Sequence, residues 1–370
     1  MALLFLTVIV VYSLVVFMTA HRIGKTIGSK GGKVLFYCLW TLLSYLYFIG
    51  RFVSDALPEI ANRIIYIIGS GWLIVMLYSA ILIALLLIGR FVARLSGRYL
   101  QPLRTSTFVG IGIAVVIIIA VGVRNAYSPV VTRYKITCDA MQHTDTLRIA
   151  FASDLHIGLA IRSNDMERLA EMINASNADI CIIGGDFFDG DTRTVVENDL
   201  GAPLSKINCR LGTFGVLGNH DHMADATEVV KYLKNKGITI LCDSAVDVGG
   251  FRLIGREDLS VIRHGGGREA LKWLTDSLPT IVVDHQPAEI DESVDEGALL
   301  HLSGHTHAGQ VFPMNFATRS IYDIDYGKKE YTSRTTTTAI VTSGFGTWGP
   351  RIRLGNMPEI VIIDIVGSKF

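Results

Sequence analysis

The sequence has no close cysteine pair. Its five cysteines, Cys38, Cys138, Cys181, Cys209 and Cys242, fall in no CxxC and no zinc-ribbon spacing, so they read as small buried hydrophobes. Residues 1–130 nearly lack acid: 11 Lys and Arg stand against Asp55 and Glu59 alone, a net of +9. Residues 131–370 lack any basic excess, with 23 Lys and Arg against 32 Asp and Glu, a net of −9. A nucleic-acid binder needs a basic surface to neutralise phosphates, so the acidic part argues against that class. The long apolar runs carry no ionisable residue deep inside them, which removes the usual sign of a transport pathway. There is no internal repeat and no long low-complexity segment.

What is present is apolar. Half of the 370 residues are hydrophobic and the mean hydropathy is +0.40, which predicts a membrane part within a two-domain chain. Four segments stand out, at Ala2–Ala20, Val34–Gly50, Ile64–Gly89 and Thr107–Val123. Each is long enough, or nearly so, to cross a hydrocarbon core of about 30 Å. The second is the shortest and rich in aromatics, which suits an interfacial or protein-packed helix. The first lacks the basic n-region and small-residue cleavage site of a secretion signal, so it reads as a retained helix.

The loops set an orientation. Arg22, Lys25, Lys30 and Lys33 lie in the first, and Arg90, Arg94, Arg98 and Arg104 in the third. Arg51 and Arg63 in the second are offset by Asp55 and Glu59. The positive-inside rule puts loops one and three in the cytoplasm and residues 131–370 on the outer face. The cluster Arg124, Arg133 and Lys135 pulls the other way. The bland role for residues 1–130 is a membrane anchor, with basic loops suited to anionic lipid headgroups.

After residue 130 the pattern changes. Strands are expected at Leu147–Ser153, Asp179–Gly184, Thr213–Leu217, Ile238–Leu241, Phe251–Ile254, Thr280–Val283, Leu299–Leu302, Ala339–Ser343 and Ile360–Ile365. Helices are expected at Asn164–Asn174, Ala224–Lys236 and Arg268–Asp276. This alternation predicts an α/β sandwich with helices over sheets.

The informative polar residues follow the strands. In chain order they are Asp154-Leu155-His156, Gly184-Gly185-Asp186-Phe187-Phe188-Asp189, Gly218-Asn219-His220-Asp221, Asp284-His285 and Gly304-His305-Thr306-His307. Sites in α/β sheets gather at the carboxyl ends of strands, so five loops converge their oxygen and nitrogen donors on one pocket. Any one of these residues has a dull explanation as a helix cap or turn former. The ordered set does not. Mixed Asp, His and Asn donors suit Mn, Fe or Zn better than Ca.

The series D-x-H, G-D-x-x-D, G-N-H-D, H and G-H-x-H resembles the signature of the calcineurin-like metallophosphoesterases, over about residues 146–365. Gly344-Phe345-Gly346-Thr347, Arg351-Ile352-Arg353 and Pro358-Glu359 resemble its bacterial membrane-anchored subgroup. Ala308 departs from that subgroup, which carries glycine after the second histidine. The resemblance implies a four-helix transmembrane region followed by an αββα sandwich, and two divalent metal ions. It assigns Asp154, His156, Asp186 and His307 to the first ion, and Asp186, Asn219, His285 and His305 to the second, with Asp186 bridging. Such a pair, about 3.5–4 Å apart, activates a water for in-line attack on phosphorus. His220 is left as the residue that protonates the leaving oxygen or stabilises phosphate charge. Asp221 either orients His220 or caps the helix that follows. Arg162, Asp189, Trp348, Arg351 and Arg353 are weaker candidates.

The implied activity is a membrane-anchored phosphoesterase acting on a phosphoester or pyrophosphate, with membrane lipid as partner and a lipid-linked or envelope substrate favoured by the anchor. Relatives of the resembled family include a pyrophosphatase acting on UDP-diacylglucosamine, a cytoplasmic reaction that conflicts with an outward-facing domain. Two alternatives stay open: an anchored phosphodiesterase or protein phosphatase with soluble substrates, and an inert receptor or scaffold. No protein partner is evident from the sequence.

Overall fold

A computed structural model of the chain describes residues 2–101, 103–142, 145–262, 277–333 and 335–368. It divides into two compact units, Met1–Val123 and Arg124–Phe370. The division falls a few residues before the boundary read from composition.

The first unit is helical: α1 (Ala2–Gly24), α2 (Lys30–Val53), α3 (Glu59–Leu95) and most of α4 (Thr105–Ala126). α2, α3 and α4 are each long and apolar enough to cross a membrane, and the described part of α1 adds a shorter apolar helix, Ile9–Gly24. Many large apolar side chains, among them Phe17, Leu35, Leu85 and Val116, point outward. That arrangement belongs to helices solvated by lipid rather than by water. Inside, small residues let helices approach. A Cβ at Gly69 would run into the backbone of Leu46 and Tyr47, so glycine sets the α2–α3 contact. Trp40 packs edge-on to Trp72, and Ser44 accepts from Trp72 Nε1 at 3.2 Å. The aromatic second segment is thus a protein-packed helix, and at 24 residues it is longer than its apolar run.

The second unit is a pair of mixed sheets among the described residues. The first sheet has the order β1-β12-β2-β3-β4-β5 and the second β10-β11-β9-β8-β7-β6. The strands of the first are β1 (Val130–Cys138), β2 (Thr146–Ala152), β3 (Ile180–Ile183), β4 (Thr213–Gly215), β5 (Ile238–Ile240) and β12 (Glu359–Gly367). Those of the second are β6 (Ser244–Val248), β7 (Phe251–Gly255), β8 (Thr280–Val283), β9 (Leu300–Ser303), β10 (Gly327–Thr332) and β11 (Thr336–Val341). The period of two along β2 shows how the layers are built. Ile149 and Phe151 enter the core between the sheets with Leu253, Val283, Leu302 and Ile363. Ala150 and Ala152 face the helical layer instead. There α5 (Ser163–Ala175) buries Met166, Leu169, Ala170 and Ile173, the spacing of one helix face. Each fully buried large side chain contributes about 1.5–3 kcal/mol of burial free energy.

Three strands are not foreseen by apolar patterning. β1, β6 and β10 each lie at a sheet edge. β10 reads Gly-Lys-Lys-Glu-Tyr-Thr and β1 carries Arg133 and Lys135. Charged edge strands avoid pairing with other chains, and that same charge erases the hydrophobic signal. The helix expected at Arg268–Asp276 lies outside the described residues.

β2, β3 and β4 run parallel in one sheet, and β8 and β9 run parallel in the other. Their carboxyl ends therefore face the same way within each sheet. The five polar loops follow those ends.

Candidate metal centre

The loops are laced together by backbone hydrogen bonds. Asp154 N donates to Gly185 O at 2.9 Å, His156 N to Asp186 O at 3.0 Å, Gly304 N to His285 O at 3.0 Å and Gly346 N to Asp154 O at 2.8 Å. The side chains meet at atom distances that leave little slack. His156 Nε2 stands 3.0 Å from His307 Nε2, and His307 Nε2 is 3.6 Å from Asp154 Oδ1. On the other side, His285 Nε2 is 3.2 Å from Asn219 Oδ1 and 3.3 Å from His305 Nδ1. Asp186 Oδ2 reaches both groups, at 3.7 Å from His156 Nε2 and 3.3 Å from His285 Nε2. Among the described residues, three sets present donors within 4.8 Å of one another: Asp154, His156 and His307; His156, Asp186 and His220; Asp186, His285 and His305.

The backbone is bent to achieve this. Asp154, His156, Asp186, His305 and His307 all adopt positive φ, between 48° and 68°. Few residues other than glycine adopt that region, and clusters of such residues mark functional sites. Ala308 joins them at φ 49°, where the resembled subgroup carries glycine. Glycines also give the carboxylates room. A Cβ at Gly218 would strike Asp186, and one at Gly304 would strike Asp154. Asp154 accepts from His305 N at 3.0 Å.

The electrostatics fit a cation. Asp154 and Asp186 are buried. Burial opposes the charge on Asp186, yet His285 and His156 hold its carboxyl far below the ordinary range. Burial also opposes protonation of His285, but Asp186 outweighs it and lifts the imidazole well above its ordinary range. Burial and the neighbouring His285 push His305 down to about 4. Burial, His156 and Arg353 depress His307. Buried carboxylates surrounded by ring nitrogens, some kept neutral, are a donor set for divalent metal. His285 Nδ1 lies 2.8 Å from Gly184 O; with one proton held there, the Nε2 proton that Asp186 favours is the one a metal would displace, the usual way a second partner fixes the tautomer of a ligand.

The remaining sequence candidates divide. His220 donates its backbone N–H to Asp186 Oδ1 at 2.8 Å, and its ring stands edge-on to His156 at 4.8 Å. Its Nδ1 is buried without a hydrogen bond among the described residues, with Asp189 Oδ1 at 3.8 Å. The orienting role considered for Asp221 needs correction. Its carboxylate accepts from Phe187 N at 3.2 Å, Phe188 N at 3.0 Å and Gly218 N at 3.0 Å. It caps the short helix Asn219–Met223 and clamps the Asp186 loop, so it acts on backbone and not on the His220 ring. Asp189 stands 3.5 Å from His156 Nδ1. Arg162 lies at the start of α5, where its backbone N–H bonds Asp165 at 2.9 Å. Arg351 pairs with Asp165 and stacks 3.7 Å over Tyr127, away from the cluster.

Arg353 is the residue that sequence reasoning underrated. It is fully buried. Its Nη2 donates to Gly346 O at 2.6 Å and Gly344 O at 3.2 Å, and reaches His307 Nδ1 at 3.3 Å. Burial lowers its pKa to about 10, which leaves the guanidinium charged at neutral pH. It packs against the far side of His307; a ring that offers its Nε2 lone pair to the cluster carries its proton on Nδ1 and cannot accept from a guanidinium, so this contact is packing and not a hydrogen bond.

The calcineurin-like phosphoesterase profile matches residues 147–309, the span that contains all of these strand ends. An uncharacterized metallophosphoesterase of Aquifex aeolicus is 31% identical over 245 residues, covering 64% of this chain and 92% of the relative. The chain belongs to the calcineurin-like metallophosphoesterases. An uncharacterized metallophosphoesterase of Helicobacter pylori is 31% identical over 225 residues, and there the match spans 60% of each protein. A transmembrane protein with metallophosphoesterase domain from Bos taurus is 30% identical over 264 residues, covering 65% of this chain and 58% of that one. This metallophosphoesterase thus joins the family's domain to a set of apolar helices, and its chain spans only about three fifths of several relatives it matches.

Proposed function

We propose that the protein is a multi-pass membrane phosphoesterase with a binuclear metal centre, hydrolysing a phosphoester or pyrophosphate bond in a lipid-linked or envelope substrate. The observation that carries this reading is the position of Asp186, whose carboxylate reaches two separate sets of histidines. Asp154, His156, Asp186 and His307 would hold one ion. Asp186, Asn219, His285 and His305 would hold the other. Mn, Fe or Zn suits the mixed donors. When bound, two such ions supply Lewis acidity and an activated water for in-line displacement at phosphorus.

The chain's own residues do the rest. His220 borders both sets, and burial lowers its pKa, so the neutral ring donates a hydrogen bond to the phosphate or the leaving oxygen. Asp221 fixes the loop that presents Asp186. The Gly184 carbonyl would hold His285 in place, and Arg353 packs behind His307.

Full-length protein loaded with Mn²⁺ should hydrolyse members of a panel of chromogenic monoesters, diesters and phospholipids, and His220→Ala should suppress that hydrolysis. Hydrolysis confined to soluble esters would favour an anchored phosphodiesterase or protein phosphatase. No hydrolysis by metal-loaded protein would favour an inert scaffold. The basic loops favour an outward-facing catalytic domain. A reporter fused after Phe370 tests this: periplasmic phosphatase-reporter activity is expected, and cytoplasmic fluorescence without it would reverse the orientation.

A further inference from the structure

The segment that leaves the His305–His307 loop is unusually apolar for a surface. Phe312, Met314, Phe316 and Ile321 are 50%, 42%, 61% and 70% exposed. The helix Asn315–Ile321 within it buries none of its residues, so it does not serve the core. Both ends of the segment border the metal cluster. At one end Gln310 exchanges paired hydrogen bonds with the Trp348 backbone, at 2.8 and 2.9 Å, and the Trp348 ring lies 6.2 Å from His220. At the other end the Tyr322 ring lies 6.2 Å from His305. Trp348 is itself 54% exposed.

Soluble surfaces rarely keep such a patch in water, and one beside a cleft marks a contact site. Two facts select lipid as the occupant. The chain carries helices able to cross a membrane, and three residues, Tyr127–Pro129, separate α4 from β1, so the domain is tethered close to a bilayer. The patch also has interfacial chemistry: aromatics, a methionine and an isoleucine, with the side chain of Arg319 62% exposed among them while its Nε pairs with Asp325 Oδ1 at 3.7 Å. Aromatic side chains settle at the headgroup level, and cations there favour anionic lipid.

We infer that Phe312, Met314, Phe316 and Ile321 form a wedge that enters the interface of the bilayer and brings the neighbouring metal cleft to the level of lipid phosphates. This deepens the phosphoesterase reading by assigning the substrate to the bilayer, but insertion can be measured without any turnover. The test uses the full chain in nanodiscs of equal parts phosphatidylcholine and phosphatidylglycerol. Cys38, Cys209 and Cys242, the thiols that are not buried, are replaced by serine, and an environment-sensitive fluorophore is attached at Phe316→Cys, or at Ile321→Cys as a second position. Lys231→Cys on the exposed face of the helix Ala226–Asn235 serves as the aqueous reference.

The wedge requires that lipids with a shallow spin label quench most emission at 316 and 321, and that aqueous iodide quench 231 alone. Iodide quenching at 316 and 321 equal to that at 231 overturns it. Protection from both quenchers also overturns it, because the patch is then covered by protein, such as a second copy. Phe316→Ser with Ile321→Ser should leave hydrolysis of a soluble chromogenic ester unchanged and lower kcat/KM on a bilayer-embedded phosphoester by roughly tenfold. Lipid quenching without any hydrolysis would leave the wedge standing and remove the phosphoesterase reading instead.

Discussion

The two units treat buried polar groups in opposite ways. In the helical unit, those described are uncharged and bond mainly to nearby backbone. Thr19 donates to Val15 O at 2.8 Å, and Ser44 to Trp40 O at 2.7 Å. Such groups satisfy themselves within a helix and add a little glue between helices. In the sheet unit, buried Asp154, His156, Asp186, His285 and His307 are ionisable and face one another. Several sit on left-handed backbone. That arrangement gives up stability to aim side chains. Polar burial in the first unit is therefore structural, while in the second a part of it builds a site.

The contrast can be broken by substitution. The largest effect is expected from His220→Ala, which should lower kcat by about 10²–10³-fold, the usual weight of one preorganised hydrogen-bond donor. Bound metal, read by elemental analysis, should stay at the wild-type level. Metal loss would make His220 a ligand instead. Asp221→Ala comes next. It strands the three backbone amides its carboxylate holds, and unmade buried bonds cost about 1–3 kcal/mol. Thermal unfolding should show that loss, with activity falling only as the Asp186 loop loosens.

Ala308→Gly should go the other way. Left-handed alanine costs about 1–2 kcal/mol, and the extra freedom of glycine offsets about 0.5–1 kcal/mol of the relief. A small rise in melting temperature with unchanged kcat is expected, and a fall would show that the Ala308 methyl packs usefully. Ser44→Ala should matter least. Interhelical polar bonds in membranes average about 0.6 kcal/mol, so the variant should unfold slightly earlier in detergent and hydrolyse normally. A change in kcat there would erase the distinction between the units.

Much of this was legible in the sequence for a physical reason. Buried strands such as Ile180–Ile183 announce themselves as apolar runs, and the residue that follows is where a parallel sheet presents its chemistry. The seven Asp, Asn and His positions singled out at strand ends are the ones the fold brings together. What stayed hidden depends on long-range packing. Edge strands β1 and β10 carry charge in place of pattern. Arg353 is only a weaker candidate in the sequence, because nothing local shows that the loop after β11 folds it beneath His307. Phe312, Met314, Phe316 and Ile321 carry no mark of exposure in the sequence, and only the fold leaves them outside. Asp221 belongs to the same class, since only tertiary contacts separate a loop clamp from a partner of the His220 ring.

Asp186 is proposed to serve two ions at once. Metal content of purified full-length protein, titrated with Mn²⁺ and compared with Asp186→Ala, tests it most directly. Two equivalents per wild-type chain are expected, with loss of both, or near loss, in the variant. A single equivalent in the wild type, or a variant that keeps two, would contradict it.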